Sequence, residues 1–267
     1  MKKNTVQETL LFPLVGRAKC YIDWPKVFED KESLEILNQI GINPEDRELS
    51  KIGNLLYGIR HHINVKLAKD FIMEHPKAHV VNLGCGLDSI FKKIDNGKIK
   101  YYNLDFPDVI ELRNNYFPIT NREYNLAYSM LDYKWMDEIN YKIEDGIIFL
   151  CAGVLYYLKV NEVKDMIKAM SERFPKGRLT FDNEPPKMIE KSNKAIKKSG
   201  IEQATLHFKI KNPYDIKNWS DYIENVMILE DFSKDLPNKK YLSLWAKVLL
   251  KIINKKKYVY QMIIDFK

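Results

Sequence analysis

The sequence predicts an α/β protein built on a doubly wound, mostly parallel sheet, and three observations predict this fold class. Strand-like segments alternate with helix-sized stretches between residues 78 and 182, a pattern typical of parallel sheets with helical crossovers. A Gly-x-Gly turn at Gly84 and Gly86 follows the first of these strands, and Asp105 ends the second. The chain has 267 residues, 45% of them hydrophobic, which is enough to bury a large core.

The elements follow in order along the chain. Residues 1–75 are predicted to be helical, because apolar positions recur with helical spacing at 33–40 and 55–73. Further helices are expected between the strands, at 107–116 and 161–174. Five strands are predicted, at 78–83, 99–104, 124–128, 146–151 and 178–182.

The remaining third of the chain is predicted to be a lid and an edge of the sheet. Residues 183–206 are polar and rich in lysine, which favours a helical lid insertion over the mouth of the site. Residues 257–267 alternate in polarity and are predicted to form a final strand. We therefore expect one domain over residues 1–267, with a helical cap at 1–75, a cofactor-binding core at 76–182, and the lid and C-terminal strands at 183–267.

Composition argues against several classes of partner. The formal charge of +7 comes mainly from lysines spaced for exposed helix faces, without an aromatic-interleaved basic motif, so no nucleic-acid partner is expected. No apolar run approaches the ~20 residues of a membrane span, and no cleavable leader is recognisable, so we expect a cytoplasmic protein without a membrane partner. The cysteines Cys20, Cys85 and Cys151 are too scattered for disulfides or zinc. No metal is expected, because the adjacent His61 and His62 diverge by about 100° on a helix.

The glycine turn and Asp105 together predict a nucleoside-cofactor crevice. Gly84 and Gly86, with Cys85 between them, leave the main chain open to close approach by a ligand. Asp105 stands 19 positions after Gly86, where a carboxylate accepts hydrogen bonds from ribose hydroxyls. Ser89 replaces the third glycine of the dinucleotide fingerprint, which favours a cofactor without a pyrophosphate, and S-adenosylmethionine (SAM) fits. An ordinary strand-to-helix turn would show the same glycine spacing and stays open as the alternative.

Several segments carry a family resemblance. They are Gly16-Arg17-Ala18-Lys19, Arg60 in a helix, Asn82-Leu83-Gly84-Cys85-Gly86-Leu87-Asp88, Asn103-Leu104-Asp105-Phe106-Pro107, Ser129-Met130-Leu131-Asp132-Tyr133 and Ala152-Gly153-Val154-Leu155-Tyr156-Tyr157. In this order they resemble the leucine carboxyl methyltransferase superfamily, in particular its bacterial branch similar to polyketide O-methyltransferases of the tetracenomycin type. The resemblance covers about the first 185 residues. It implies an enzyme of the class I methyltransferase fold, with SAM as methyl donor and an oxygen, often a carboxylate, as acceptor.

The resemblance also implies roles for individual residues. Lys19 and Arg60 match the basic residues that bind the methionine carboxylate, and a carboxylate in a half-buried site does need a cationic partner. Ser129, Met130 and Asp132 match the segment that borders adenine. Asp132 has a second interpretation as a helix N-cap, and the two roles are compatible.

The acceptor side of the site is less defined by the sequence. Candidate pocket residues are His61, Ala152 and Tyr157, and no catalytic residue is assigned, because a carboxylate acceptor needs no general base. Many members of the resembled family carry glutamate where this chain has Ala152, which favours a small-molecule acceptor. Two other functions stay open: a nucleic-acid methyltransferase, suggested by the charge and by Asn183-Glu184-Pro185-Pro186, and a non-catalytic protein that binds SAM.

Overall fold

The computed structural model describes residues 6–47, 49–199, 205–231 and 234–267. Its strands are β1 (His79–Leu83), β2 (Lys100–Asp105), β3 (Glu123–Ala127), β4 (Ile147–Cys151), β5 (Arg178–Asn183), β6 (Ile223–Leu229) and β7 (Tyr260–Phe266). Its α-helices are α1 (Val6–Asp23), α2 (Lys31–Ile40), α3 (Lys51–Glu74), α4 (Ile90–Ile94), α5 (Pro107–Asn114), α6 (Val160–Arg173), α7 (Pro186–Ser199) and α8 (Leu244–Lys256).

The seven strands form one sheet in the order β3-β2-β1-β4-β5-β7-β6. Strands β1 to β5 are parallel, and β7 runs antiparallel to both β5 and β6. The chain order reverses between β1 and β4, and in such sheets ligands bind outside the carboxyl ends of the strands at this point. The predicted fold class is confirmed.

The five predicted parallel strands are all present, with bounds shifted by at most one residue. The most easily recognised is β4, which is buried on both faces and has an entirely apolar sequence, whereas β1 is equally buried but contains His79 and Asn82. The C-terminal strands are β7, where the final strand is predicted, and β6, which the sequence analysis does not locate. Strand β6 is hard to detect because its register is interrupted between Ile223 and Asn225, so buried and exposed positions do not alternate regularly.

Helix α3 separates two parts of the molecule. Its N-cap is Ser50, whose hydroxyl accepts a hydrogen bond from the Gly53 amide, and the helix packs against α1. One face carries Leu55, Ile59 and Ile63 into a hydrophobic cluster shared with α8. The opposite face points toward the carboxyl ends of the strands. The helical N-terminal region therefore forms a wall over the edge of the sheet where ligands bind.

The predicted lid segment begins as helix α7 directly after β5, and Ile189 anchors that helix in the protein interior. Residues 200–204 of the predicted segment lie outside the described residues. Across the described ranges, no helix is both long and apolar enough to cross a membrane.

Candidate functional site

A cavity of about 210 Å³ lies at the carboxyl ends of β1, β2 and β4. Residues of α1 and α3 close it on the side away from the sheet. This is the position that a reversal of strand order favours for a ligand. The cavity is therefore the candidate cofactor site, and its walls come from the elements described next.

The glycine turn after β1 forms the floor of the cavity. Gly84 and Gly86 have φ angles of 66° and 47°, which L-residues with a side chain rarely adopt. A Cβ atom on Gly84 would lie only 2.5 Å from a methyl group of Val154. The buried Arg113 fixes the turn from the other side, donating to the carbonyl oxygens of Gly86 at 3.1 Å and Asp88 at 2.7 Å. The turn is therefore fixed on both sides, and glycine at position 84 lets Val154 pack directly against the backbone.

Asp105 lies at the end of β2 beside this turn. Its two carboxylate oxygens accept hydrogen bonds from the amides of Gly86 and Phe106, each at 2.8 Å. Burial raises the pKa of this carboxyl group, whereas the two amide donors favour its ionised form. Each carboxylate oxygen has a second lone pair, so the fixed carboxylate can also accept hydrogen bonds from a ligand in the cavity.

A buried cluster of charged side chains lies next to the turn. The Arg17 guanidinium is 3.1 Å from a carboxylate oxygen of Asp88 and 3.5 Å from one of Asp30. His61 Nδ1 lies 3.2 Å from the same Asp88 oxygen. Burial alone would raise the pKa of Asp88, but the Arg17 guanidinium and the adjacent His61 hold it well below its ordinary value. Asp88 is therefore ionised at neutral pH and links α1 and α3 to the glycine turn.

Arg60 forms a second charged group on the other side of the cavity. Its Nη2 atom is 2.7 Å from Asp182 Oδ2, at the end of β5. A Cβ atom on Gly153 would lie 2.5 Å from Arg60 Nη1, so glycine at that position lets the guanidinium pack against the backbone after β4. Asp182 also accepts hydrogen bonds from the Gly153 amide and the Tyr156 hydroxyl, at 2.7 and 2.9 Å. Burial acts to lower the pKa of Arg60, but Asp182 raises it, so the guanidinium stays charged.

Four cavity-lining residues carry a buried polar atom that has no hydrogen-bond partner among the described residues. These atoms are Arg17 Nε, His61 Nε2, Asn64 Oδ1 and Asn82 Nδ2. A buried polar atom without a partner costs free energy, and a polar ligand would remove that cost. SAM carries an ammonium group, a carboxylate and ribose hydroxyls, so the residues present fit this cofactor.

The structure brings most of the predicted site residues together. Those that line the cavity are Arg60, His61, Gly84, Cys85, Gly86, Asp105, Ala152 and Tyr157. Cys85 contributes to the turn and does not resemble a nucleophile, since burial raises the pKa of its thiol.

Four predicted site residues lie outside the cavity lining of the described chain. Lys19 Nζ donates to the carbonyl oxygen of Arg47 at 2.9 Å, and Arg17, about 200° away around the same helix, faces the cavity instead. Asp132 caps a short 3₁₀ helix by accepting from the Lys134 amide. In the same loop, the Ser129 hydroxyl accepts from the Leu131 amide, and the Met130 carbonyl accepts from the Trp135 indole.

Four residues at or beside the site are not among those predicted from the sequence: Arg17, Tyr57, Asp88 and Asp182. Asp182 was detectable, because the rule that identifies Asp105, an acid at the carboxyl end of a parallel strand, applies equally to β5. Asp88 belongs to a motif that the resemblance already quotes. Arg17 and Tyr57 depend on how α1 and α3 pack, and no local signal reveals that. The described residues contain no group of three side chains placed to hold a metal ion.

The sheet order and the crevice at its reversal are those of the class I methyltransferase fold. Comparisons with known proteins identify the group more closely. The family model of leucine carboxyl methyltransferases matches residues 21–171. The chain is 26% identical over 222 residues to the tetracenomycin polyketide synthesis O-methyltransferase TcmP of Streptomyces glaucescens, covering 80% of this chain and 78% of that protein. This chain belongs to the leucine carboxyl methyltransferase family.

Solved structures agree on the fold. A proposed methyltransferase of Thermobifida fusca superposes with a TM-score of 0.59 at 12% identity, over 88% of each chain. Magnesium protoporphyrin IX methyltransferase of Synechocystis, solved with bound S-adenosylhomocysteine (SAH), gives a TM-score of 0.50 at 11% identity, over 91% of this chain and 98% of that one. At these identities the likeness shows the fold alone.

Proposed function

We propose that this enzyme transfers the methyl group of SAM to a hydroxyl or carboxylate oxygen of a small molecule. The proposal is supported by the shape of the cavity. One continuous cavity is lined by Asp105 and the glycine turn and also by Ala152 and Tyr157, which follow β4. A cofactor bound at Asp105 and an acceptor beside Tyr157 would share this cavity, and methyl transfer requires such proximity.

Different residues of the chain are proposed to bind different parts of the cofactor. SAM, when bound, supplies an electrophilic methyl group on a positively charged sulfur. Asp105 is proposed to accept hydrogen bonds from the ribose hydroxyls, and Arg60 to bind the methionine carboxylate. Arg60 pairs with Asp182 through Nη2, and its Nη1 atom, which packs against Gly153, is the one proposed to contact the methionine carboxylate. Arg17 lies closer to the glycine turn than Lys19 does and is the better second cation. We also propose that Ser129, Met130 and Asp132 border the adenine of the cofactor.

The acceptor side favours a group that is already ionised. Tyr57 and Tyr157 line the cavity, and both hydroxyls are protonated at neutral pH, because the ordinary pKa of tyrosine is about 10 and burial raises the pKa of Tyr57 further. Protonated phenols can donate hydrogen bonds to an acceptor oxygen but cannot remove its proton. His61 Nδ1 lies within hydrogen-bond distance of both Asp88 and the Arg17 guanidinium, and its single proton or lone pair can serve only one of them, whereas its Nε2 atom has no hydrogen-bond partner among the described residues. A carboxylate, or a phenol of low pKa, needs no base and suits these surroundings.

The relative TcmP, which is named as a polyketide O-methyltransferase, supports an oxygen acceptor on a small molecule. We further propose that the enzyme works in the cytoplasm and has no nucleic-acid partner, because of the composition and charge pattern of the sequence.

The test uses SAM with an isotopically labelled methyl group and a panel of phenols, aromatic carboxylic acids, single-stranded DNA and RNA. NMR of the product identifies the atom that received the methyl group. We expect a labelled methyl ether or methyl ester with at least one small molecule. Label on nucleic acid would establish the nucleic-acid alternative. Tight SAM binding with no SAH formed from any acceptor would support the non-catalytic one.

A further inference from the structure

Helix α8 presents a row of aliphatic side chains to solvent. Leu244, Val248 and Ile252 are 78%, 49% and 43% exposed and recur every four residues, so they lie along one side of the helix. The inner face of α8 is already packed, because Ala246, Leu250 and Ile253 are buried in a hydrophobic cluster with residues of α1 and α3. The outer row is therefore not needed to hold the helix in place.

A row of lysines runs beside the aliphatic row. Lys247, Lys251 and Lys255 repeat at the same four-residue spacing. Residues 239–257 contain seven lysines and no acidic residue. Among the described residues, neither Lys251 nor Lys255 has a carboxylate within ion-pair distance; the nearest such pair at this end joins Lys257 to Glu230, at 2.7 Å. The helix thus combines an apolar surface with uncompensated positive charge.

Aromatic side chains extend this surface at the start of α8. Trp245 is 38% exposed and packs against Trp24, with ring centroids 5.4 Å apart. Tyr241 is 45% exposed and lies under the ammonium group of Lys26, 4.5 Å from its ring centroid. Tryptophan and tyrosine are the residues that settle at the boundary between lipid headgroups and acyl chains.

We propose that the outer face of α8 docks on the surface of a membrane that contains anionic lipids. An interfacial helix needs exposed aliphatic and aromatic side chains that enter the headgroup region, flanked by lysines that reach the phosphates, and α8 has both. An acidic protein partner would also cover exposed aliphatic residues, so binding to anionic vesicles is the result that distinguishes a membrane from such a partner. This inference departs from the expectation of no membrane partner, and it does not rest on the proposed function.

The docking surface is close to the site. Helix α3 carries Leu55, Ile59 and Ile63 toward α8 and Tyr57, Arg60 and His61 toward the cavity. One helix thus separates the membrane-facing surface from the cavity wall. An apolar acceptor dissolved in the membrane would have only the helical cap between it and the cavity.

The experiment measures co-sedimentation of the full chain with vesicles of phosphatidylcholine alone, or of equal parts phosphatidylcholine and phosphatidylglycerol. We expect binding to the anionic vesicles that is at least tenfold tighter than to the neutral ones. The fluorescence of Trp245, the most exposed tryptophan among the described residues, should shift to the blue on binding, and the shift should be absent in Trp245→Phe.

Two variants and a control separate this surface from net charge. The triple change Lys247→Gln, Lys251→Gln and Lys255→Gln should weaken binding by about tenfold or more, since each lysine near an anionic surface contributes to affinity. Leu244→Ser with Val248→Ser should weaken binding by a similar factor. The control removes the same charge elsewhere, with Lys134→Gln, Lys164→Gln and Lys168→Gln, all exposed outside α8, and should bind within about twofold of the parent.

Three results would overturn the proposal. The first is no binding to anionic vesicles by a parent protein that is folded. The second is an equal loss of binding in the α8 and control lysine variants, which would mean that only net charge is involved. The third is a dimer that becomes a monomer in Leu244→Ser with Val248→Ser, which would show that a second copy of the chain covers this face.

Discussion

Gly84 provides a prediction in which strain and steric contact can be measured separately. The change Gly84→Ala places a Cβ atom in the left-handed region, at a φ of 66°, and 2.5 Å from the stiff, β-branched Val154. The backbone conformation costs about 1–2 kcal/mol for an L-residue, and forcing a methyl group into a packed site costs about 1–3 kcal/mol more. We expect Gly84→Ala to lower the free energy of unfolding by about 2–5 kcal/mol and to weaken SAM binding.

The matched control is Gly97→Ala. Gly97 has a φ of 79°, yet nothing lies within 4 Å of the added Cβ. Gly97→Ala should therefore lower the free energy of unfolding only by the cost of the backbone conformation, about 1–2 kcal/mol, and should leave the affinity for SAM unchanged. Chemical denaturation measures the stability of both variants, and calorimetry measures their affinity. In a protein that already carries Val154→Ala, Gly84→Ala should lower the free energy of unfolding by the backbone contribution alone, because the added methyl group no longer meets the valine side chain. If Gly84→Ala and Gly97→Ala lose equal stability, the close approach of Val154 to the turn is refuted.

Two further predictions concern the charged groups around the cavity. Asp88→Asn should lower stability at pH 7 by about 1.5–3 kcal/mol, because it weakens hydrogen bonds to charged partners. The pKa of Asp88 is lower in the folded state, so the stability that this carboxylate contributes is present above the unfolded pKa of about 4 and is lost progressively as the pH falls below that value. The parent and Asp88→Asn should therefore converge in stability in acid denaturation. A constant difference in stability down to about pH 2 would contradict the pairing of Asp88 with Arg17 and His61. Arg60→Lys and then Arg60→Ala should weaken SAM binding in that order, because lysine keeps the charge but loses the planar fork. A decarboxylated SAM analogue should bind the parent weakly and be indifferent to Arg60→Ala; equal losses for both ligands would mean that Arg60 only supports Asp182.

The parts of the molecule that the sequence predicts are those set by local chemistry. The parallel strands are recognisable from their alternation with helix-sized stretches, and Gly84, Gly86 and Asp105 from their positions at the ends of strands. These features follow from backbone geometry, which repeats in every parallel sheet.

The parts that the sequence does not reveal depend on packing between distant segments. Whether Arg17 or Lys19 faces the cavity depends on the rotation of α1, and both residues satisfy the same short motif. The pairing of Arg60 with Asp182 joins positions 122 residues apart in the chain. The exposed row on α8 has the same four-residue spacing as a buried face, so periodicity alone cannot tell which side meets the core.

The binding of the cofactor ribose by Asp105 is tested most directly by a crossed titration. SAH and an analogue without its two ribose hydroxyls are each titrated into the parent protein and into Asp105→Asn, which keeps the size of the side chain and one acceptor oxygen for the turn. We expect the parent to favour SAH by about 1.5–3 kcal/mol, as for hydrogen bonds to a charged group, and Asp105→Asn to lose most of that preference. A parent protein that binds both ligands equally, or binds neither, would contradict the assignment of this cavity as the SAM site.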